Sequence, residues 1–279
     1  MVCTQCIIPP ELLLGTPFDS QNDSIYNSTM INFITIACLL GALGWISILN
    51  IFAYPVSKKW SIKISDYIVH VSAPRVFSIL ACYKNFRFKG DREGKKMLPQ
   101  QFIILSNHQS LIDIPLYMKY LPNKDLRFVA KDELSRHVPL VSEMLRAHEH
   151  CMIPRKGSPS IAMRTLDNFG KRVIERNQIP VLFPEGTRSK DGSLGTFYAA
   201  GFRRLSDATN LPVAVCALEG GWKINNLKNI FTNLDNGSYH VKVLKVYPAP
   251  HGKEEQVAIL NEAKVLIQNQ LDQWRKEEK

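Results

Sequence analysis

No lysine or arginine occurs in the first 57 residues of this 279-residue chain, although 35 are present in all. Those 57 residues hold three acids (Glu11, Asp19 and Asp23) and carry −3, so the whole-chain charge of +10 leaves +13 on the remainder. A secretory leader is not expected, because such a leader needs a basic region before its apolar run. A disulfide framework is excluded by usage, since the six cysteines (Cys3, Cys6, Cys38, Cys82, Cys151 and Cys216) are few and scattered. Cys3 and Cys6 have half the spacing of a zinc site, but no second CxxC and no HxxxH supplies the other ligands. His148 and His150 flank a single residue and lack ligand-like company. No GxSxG elbow marks a covalent serine mechanism. Repeats and low-complexity tracts are missing as well, and 45% hydrophobic residues exclude disorder as the overall description.

What stands out first is Met30 to Val56, a run without a single charge. Its 20 residues from Phe33 to Phe52 would span about 30 Å as a helix, the thickness of a bilayer's hydrocarbon core. A membrane helix is expected, with Asn50 and Pro55 near its interfacial end and Trp45, Tyr54 and Trp60 at headgroup depth. Lys58, Lys59 and Lys63 follow at once, which places the long C-terminal part in the cytoplasm and residues 1–29 across the membrane, where Asn22-Asp23-Ser24 and Asn27-Ser28-Thr29 match the glycosylation pattern. The expected location is integral to a membrane, the endoplasmic reticulum or a bacterial inner membrane. Residues 61–83 are apolar but broken by Lys63, Asp66, His70, Pro74 and Arg75, which fits a re-entrant or interfacial helix. Lys84, Arg87, Lys89, Arg92, Lys95 and Lys96 then form a basic stretch suited to anionic membrane lipid. This gives a tail over 1–29, membrane-anchoring helices over 30–83 and a third part over 84–279.

From residue 100 short apolar runs alternate with amphipathic segments. Strands are expected at Phe102 to Leu105, Cys151 to Ile153, Pro180 to Phe183, Pro212 to Ala217 and Tyr239 to Tyr247. One helix is expected from Ser160 to Asn177, with Ile161, Leu166, Phe169, Val173 and Ile174 at helical spacing behind Ser158 or Ser160, and another from about Glu254 with Val257, Leu260, Ile267, Leu271 and Trp274 on one stripe. The alternation predicts an α/β fold, a mixed sheet flanked by helices.

Two segments carry chemistry. Phe102 to Pro115 (FIILSNHQSLIDIP) sets His108 just past an apolar strand with Asp113 five residues on. On one continuous helix these side chains would stand about 140° apart; a His in the turn and an Asp in the first helical turn meet instead. The carboxylate then fixes one imidazole nitrogen and leaves the other to take a proton. Ser110 to Asp113 equally fits a helix-capping pattern. Val181 to Ser189 (VLFPEGTRS) ends another apolar strand in a Pro-Glu-Gly-Thr-Arg turn, where Gly186 permits close backbone approach and Arg188 can fork onto phosphate.

Together, Asn107-His108 through Asp113 and Phe183 through Arg188 resemble the NHxxxxD and FPEGTR blocks of the glycerolipid acyltransferases, the 1-acylglycerol-3-phosphate acyltransferase-like enzymes. Phe128 to Leu134 with Pro139, Cys151 to Arg155, and Leu211 to Val215 are similar to that family's lesser blocks, and the resemblance spans about residues 58 to 220. Pro154 and Val215 depart from the common pattern. The resemblance implies transfer of a fatty acyl group from an acyl thioester, acyl-CoA or acyl-ACP as co-substrate, to the free hydroxyl of a lysophospholipid, foremost lysophosphatidic acid. By it His108 is the general base and Asp113 its orienting partner, while Glu185, Gly186, Thr187, Arg188, Arg155 and Lys131 serve substrate binding. No cofactor, metal or nucleic acid is implied. The alternatives are another lysophospholipid or glycerol-3-phosphate as acceptor, a transacylase, or a non-catalytic membrane-tethered protein that holds anionic lipid.

Overall fold

The computed structural model describes residues 20–135, 142–154, 158–224 and 236–277. Its first helix, α1 (Ser20–Val56), begins before the apolar run and continues through Pro55, so the expected tail is partly helical. Met30–Val56 is long and apolar enough to cross a membrane, with a mean hydropathy of 2.1, and Phe33 and Phe52 project outward. Asn50, expected at an interface, is instead buried: its side chain donates to Ser65 Oγ (2.9 Å) and accepts from Ser61 Oγ (2.6 Å). Those serines lie on α2 (Lys58–Tyr67), so Asn50 pins the two helices together where an unpaired amide would be costly. A π-helical turn, Ile68–Ser72, leads to α3 (Ala73–Lys84), with Pro74 in its first turn. Trp60, Ile62 and Tyr67 remain exposed on α2, whereas Phe77 and Leu80 of α3 are buried in one cluster with Phe102 and Ile104. The N-terminal helices therefore share a core with the sheet.

That sheet has seven strands: β1 (Arg87–Gly90), β2 (Ile103–Ser106), β3 (Leu126–Lys131), β4 (Cys151–Ile153), β5 (Ile179–Leu182), β6 (Val213–Glu219) and β7 (Ser238–Tyr247). Their spatial order is β1-β7-β6-β2-β5-β3-β4, parallel throughout except for the β6–β7 pair. β1 and β3 were not expected from the sequence. β1 is an edge strand, Arg-Phe-Lys-Gly, whose charged residues alternate outward, and β3 carries Arg127 inside an apolar run. β2, β5 and β6 are buried on both faces, which is why they read as unbroken apolar segments.

Helices cover both faces. α5 (Asp113–Tyr120) and α3 lie over the side that takes Ile104 and Val181. α7 (Pro159–Glu175), α8 (Ala199–Thr209) and α9 (Gly252–Glu277) lie over the side that takes Ile103 and Leu105. The short helices α4 (Arg92–Lys96) and α6 (Ser142–Ala147) complete the chain. Within α7 the stripe of Leu166, Phe169 and Val173 is buried, but Ile161 (54% exposed) and Ile174 (41%) fall off it, because both sit at the flank of the buried arc. On α9 Leu260, Ile267, Leu271 and Trp274 face inward as the period predicts.

The connection from β2 through α5 passes over β5 to β3, whereas that from β5 through α8 passes back over β2 to β6. The two helices lie on opposite faces, so the carboxyl ends of β2 and β5 open a crevice at a topological switch point. His108 follows β2 and Glu185 follows β5.

Candidate active site

Asp113 opens α5 and His108 lies in the turn before it, so the five-residue spacing closes without a shared helical face. His108 Nδ1 is 2.5 Å from Asp113 Oδ2. That carboxylate is fully buried and also accepts the amide N–H groups of Gln109 (2.8 Å) and Ser110 (3.2 Å). Helix capping and orientation of the imidazole are thus the work of one side chain. Asp113 Oδ2 accepts the hydrogen bond of Nδ1–H, which leaves Nε2 as the imidazole's proton acceptor. The Phe183 ring stacks on the imidazole, centroids 4.1 Å apart and planes 11° from parallel, limiting rotation about its side-chain bonds.

The Tyr239 hydroxyl, from β7, donates to the second Asp113 oxygen. The alternating pattern of Tyr239 to Tyr247 marks a strand only, since no spacing signals a contact between residues 126 apart. Space around this hydroxyl is tight: a Cβ at Gly221 would lie 1.9 Å from it, so glycine there lets Tyr239 reach Asp113.

Glu185 occupies a different place from the substrate contact implied by the resemblance. It is 5% exposed, and its oxygens accept the backbone N–H of His108 (2.9 Å) and of Gly195 (2.7 Å). Burial pushes this carboxyl above its ordinary value, while the two amide hydrogen bonds act in the opposite direction. A further bond, Ser189 N–H to the His108 carbonyl (2.8 Å), ties the two motif loops together. Asn107 fixes the other side: its amide exchanges hydrogen bonds with the Leu218 carbonyl (2.9 Å) and N–H (2.8 Å).

Gly186, Thr187 and Arg188 are exposed and line, with His108 and Lys131, one cavity of about 450 Å³. Gly186 has φ +62°, and nothing crowds its absent Cβ, so backbone conformation rather than close packing demands glycine here. Leu111, Ile114, Val129, Leu134 and Ile153 supply apolar walls. The cavity therefore joins an imidazole, a cationic rim and an apolar floor. Arg155 and Pro139 lie outside the described residues. His150, buried and pushed well below its ordinary value first by burial and then by Arg127, accepts the Phe128 N–H (2.8 Å) and serves the packing of β3. No group of three or more His, Cys, Asp or Glu that could hold a metal ion occurs among the described residues.

A family model described as Acyltransferase matches residues 91–219, the stretch that runs from the end of β1 to the end of β6. The matched segment holds both motif loops, His108 to Asp113 and Phe183 to Arg188. It is 34% identical over 139 residues to a 1-acyl-sn-glycerol-3-phosphate acyltransferase of Cocos nucifera, covering 49% of this chain and 44% of that protein. Over 146 residues it is 32% identical to the human 1-acyl-sn-glycerol-3-phosphate acyltransferase beta, covering 52% and 50%. The chain thus spans about half the length of the curated relatives it matches. The crystal structure of the 1-acyl-sn-glycerophosphate (LPA) acyltransferase PlsC of Thermotoga maritima shares the fold, with a TM-score of 0.61 over 90% of this chain and 97% of that one at 19% identity.

Proposed function

We propose that this protein moves a fatty acyl group from an acyl thioester, acyl-CoA or acyl-ACP, to the free hydroxyl of lysophosphatidate, giving phosphatidate. The observation that carries the reading is the His108–Asp113 contact facing the Gly186–Arg188 turn across one cavity. His108 Nε2 takes the proton of the acceptor hydroxyl as its oxygen attacks the thioester carbonyl. The new C–O bond forms, the C–S bond breaks, and the imidazolium returns its proton to the departing thiolate. Asp113, negative and buried, stabilises the imidazolium between these steps. The Thr187 and Arg188 amides, which donate to no protein acceptor among the described residues and belong to residues lining the cavity, are assigned to the developing oxyanion. Arg188 and Lys131 hold the acceptor phosphate, with Arg155 assigned to the same task by its motif. Glu185 acts through the backbone, and the apolar cavity wall takes the acyl chain.

Membranes expressing the chain, offered a mixed acyl-CoA pool and a panel of lysophospholipids and glycerol-3-phosphate, test the reading by mass spectrometry. Phosphatidate should dominate the products; a product from another acceptor would keep the reaction and change the substrate. Arg188→Ala should raise the acceptor KM about tenfold to a hundredfold, because a charge-assisted fork onto a phosphate is worth about 1.5–3 kcal/mol. Lysine there should rescue partly, keeping the charge without the planar pair of donors. A rise confined to the acyl-CoA KM would reassign Arg188 to the donor's phosphates.

The part over 84–279 carries the chemistry, and residues 30–83 hold it at the bilayer, α1 crossing and α2 lying in the interface. Lys89, Arg92, Lys95 and Lys119 surround a second cavity at the end of the sheet remote from His108, and their charge suits anionic lipid. The active domain faces the cytoplasm in this arrangement. Protease added to sealed vesicles of known orientation should cut the C-terminal part only from the cytoplasmic side; equal protection of both ends would remove the crossing at Met30–Val56.

A further inference from the structure

We infer that Arg275, in the last turn of α9, is a positioning residue for the reaction centre, acting through Glu219 and Gln109 on Asp113 and His108. Only the kinetic arm of its test rests on the acyl-transfer reading. Glu219 ends β6 with its side chain fully buried, a location that a carboxylate tolerates only when its charge and lone pairs are answered. Here all four donors are in place. Oε1 accepts Trp222 Nε1 (3.0 Å) and Arg275 Nε (3.1 Å); Oε2 accepts Arg275 Nη2 (3.0 Å) and the side-chain amide of Gln109 (2.9 Å).

Gln109 is the residue after the base. Its side-chain oxygen accepts the Gly221 N–H (3.0 Å), and its own backbone N–H donates to Asp113 Oδ2. Hydrogen bonds therefore link Arg275 through Glu219 to the Gln109 side chain, and the Gln109 backbone in turn to Asp113 and His108. The same Arg275 Nη2 also donates to the Gly192 carbonyl (2.6 Å), in the loop between Arg188 and α8. One guanidinium thus braces both the loop that carries the base and the loop that carries the cationic rim. Its planar fork matches the Glu219 carboxylate in a way that a lysine ammonium does not. Arg275 stands 56 residues beyond Glu219, where the matched family segment ends, so no motif points to it.

The test uses the full chain in membranes or detergent. Arg275→Ala should lower kcat for acyl transfer about tenfold to a hundredfold, with the acyl-donor KM within about twofold, because small misplacement of reacting groups costs rate more than binding. Arg275→Lys should recover part of the rate. Independently of activity, hydrogen exchange at the Gln109, Ser110 and Gly195 amides should quicken by about tenfold or more, while amides within β2, β5 and β6 keep their protection. Lys245→Ala removes an exposed ion pair to Glu262 on the same helix and should change neither readout. Unchanged exchange at Gln109 and Ser110 would overturn the inference, as would uniform loss of protection across the sheet, which marks a purely structural pair. If the wild-type chain transfers no acyl group, the proposed function fails, and the exchange comparison still decides the role of Arg275.

Discussion

His108→Ala should leave expression and membrane association intact and lower acyl transfer by about 10² to 10⁴, the usual contribution of a positioned general base. The side chain is 15% exposed and its ring rests against Phe183, so truncation opens a small gap at the cavity wall and leaves the buried sheet untouched. Its backbone contacts survive the change: the N–H still reaches Glu185, and the carbonyl still accepts from Ser189. The loss should therefore fall on kcat, with both substrates bound about as before. A variant keeping more than half the wild-type rate would remove His108 from the reaction.

Asp113→Asn should cost about tenfold to a hundredfold in kcat, by a route that the surrounding donors dictate. If the amide nitrogen faced His108 it would also face the Gln109 N–H, setting donor against donor in a buried site, whereas the Ser110 N–H lies 3.2 Å from both oxygens and favours neither orientation. The amide oxygen should therefore take that position, its nitrogen turning to the Tyr239 hydroxyl, which can rotate to accept. The imidazole tautomer is then retained, and what disappears is the negative charge beside the imidazolium, worth about 1.5–3 kcal/mol. A loss beyond about 10³ would show that the amide had turned the other way and held Nε2 protonated. Steady-state kinetics beside His108→Ala distinguishes these cases.

Both residues were legible in the sequence because they lie five apart in a segment whose strand and helix are locally encoded. The same holds for the Gly186–Arg188 turn, announced by Pro184 after the apolar run of β5, and for the charge-free run from Met30 to Val56. Other parts of the site were not legible. Tyr239, Glu219 and Arg275 reach it only after the sheet has assembled, across separations that no periodicity encodes. Glu185 shows a different limit: its motif marks it as part of the site, but only the fold reveals that both oxygens are committed to backbone amides. Asn50 is similar, a polar residue near the end of an apolar helix whose partners, Ser61 and Ser65, appear only when the chain folds back. β1 and β3 escaped because charged residues interrupt the apolar pattern, and an edge position or a paired arginine makes those charges acceptable; Arg127, for example, donates to Asp125 and to the Leu126 carbonyl.

The central claim is that His108 directs a lysophospholipid hydroxyl onto a thioester, and thiol release from acyl-CoA in membranes carrying the chain, followed with and without lysophosphatidate, tests it most directly. Thiol should appear only when the acceptor is present, mole for mole with phosphatidate, and both signals should vanish together in His108→Ala. Release that ignores the acceptor, or phosphatidate formation that survives the loss of His108, would contradict it.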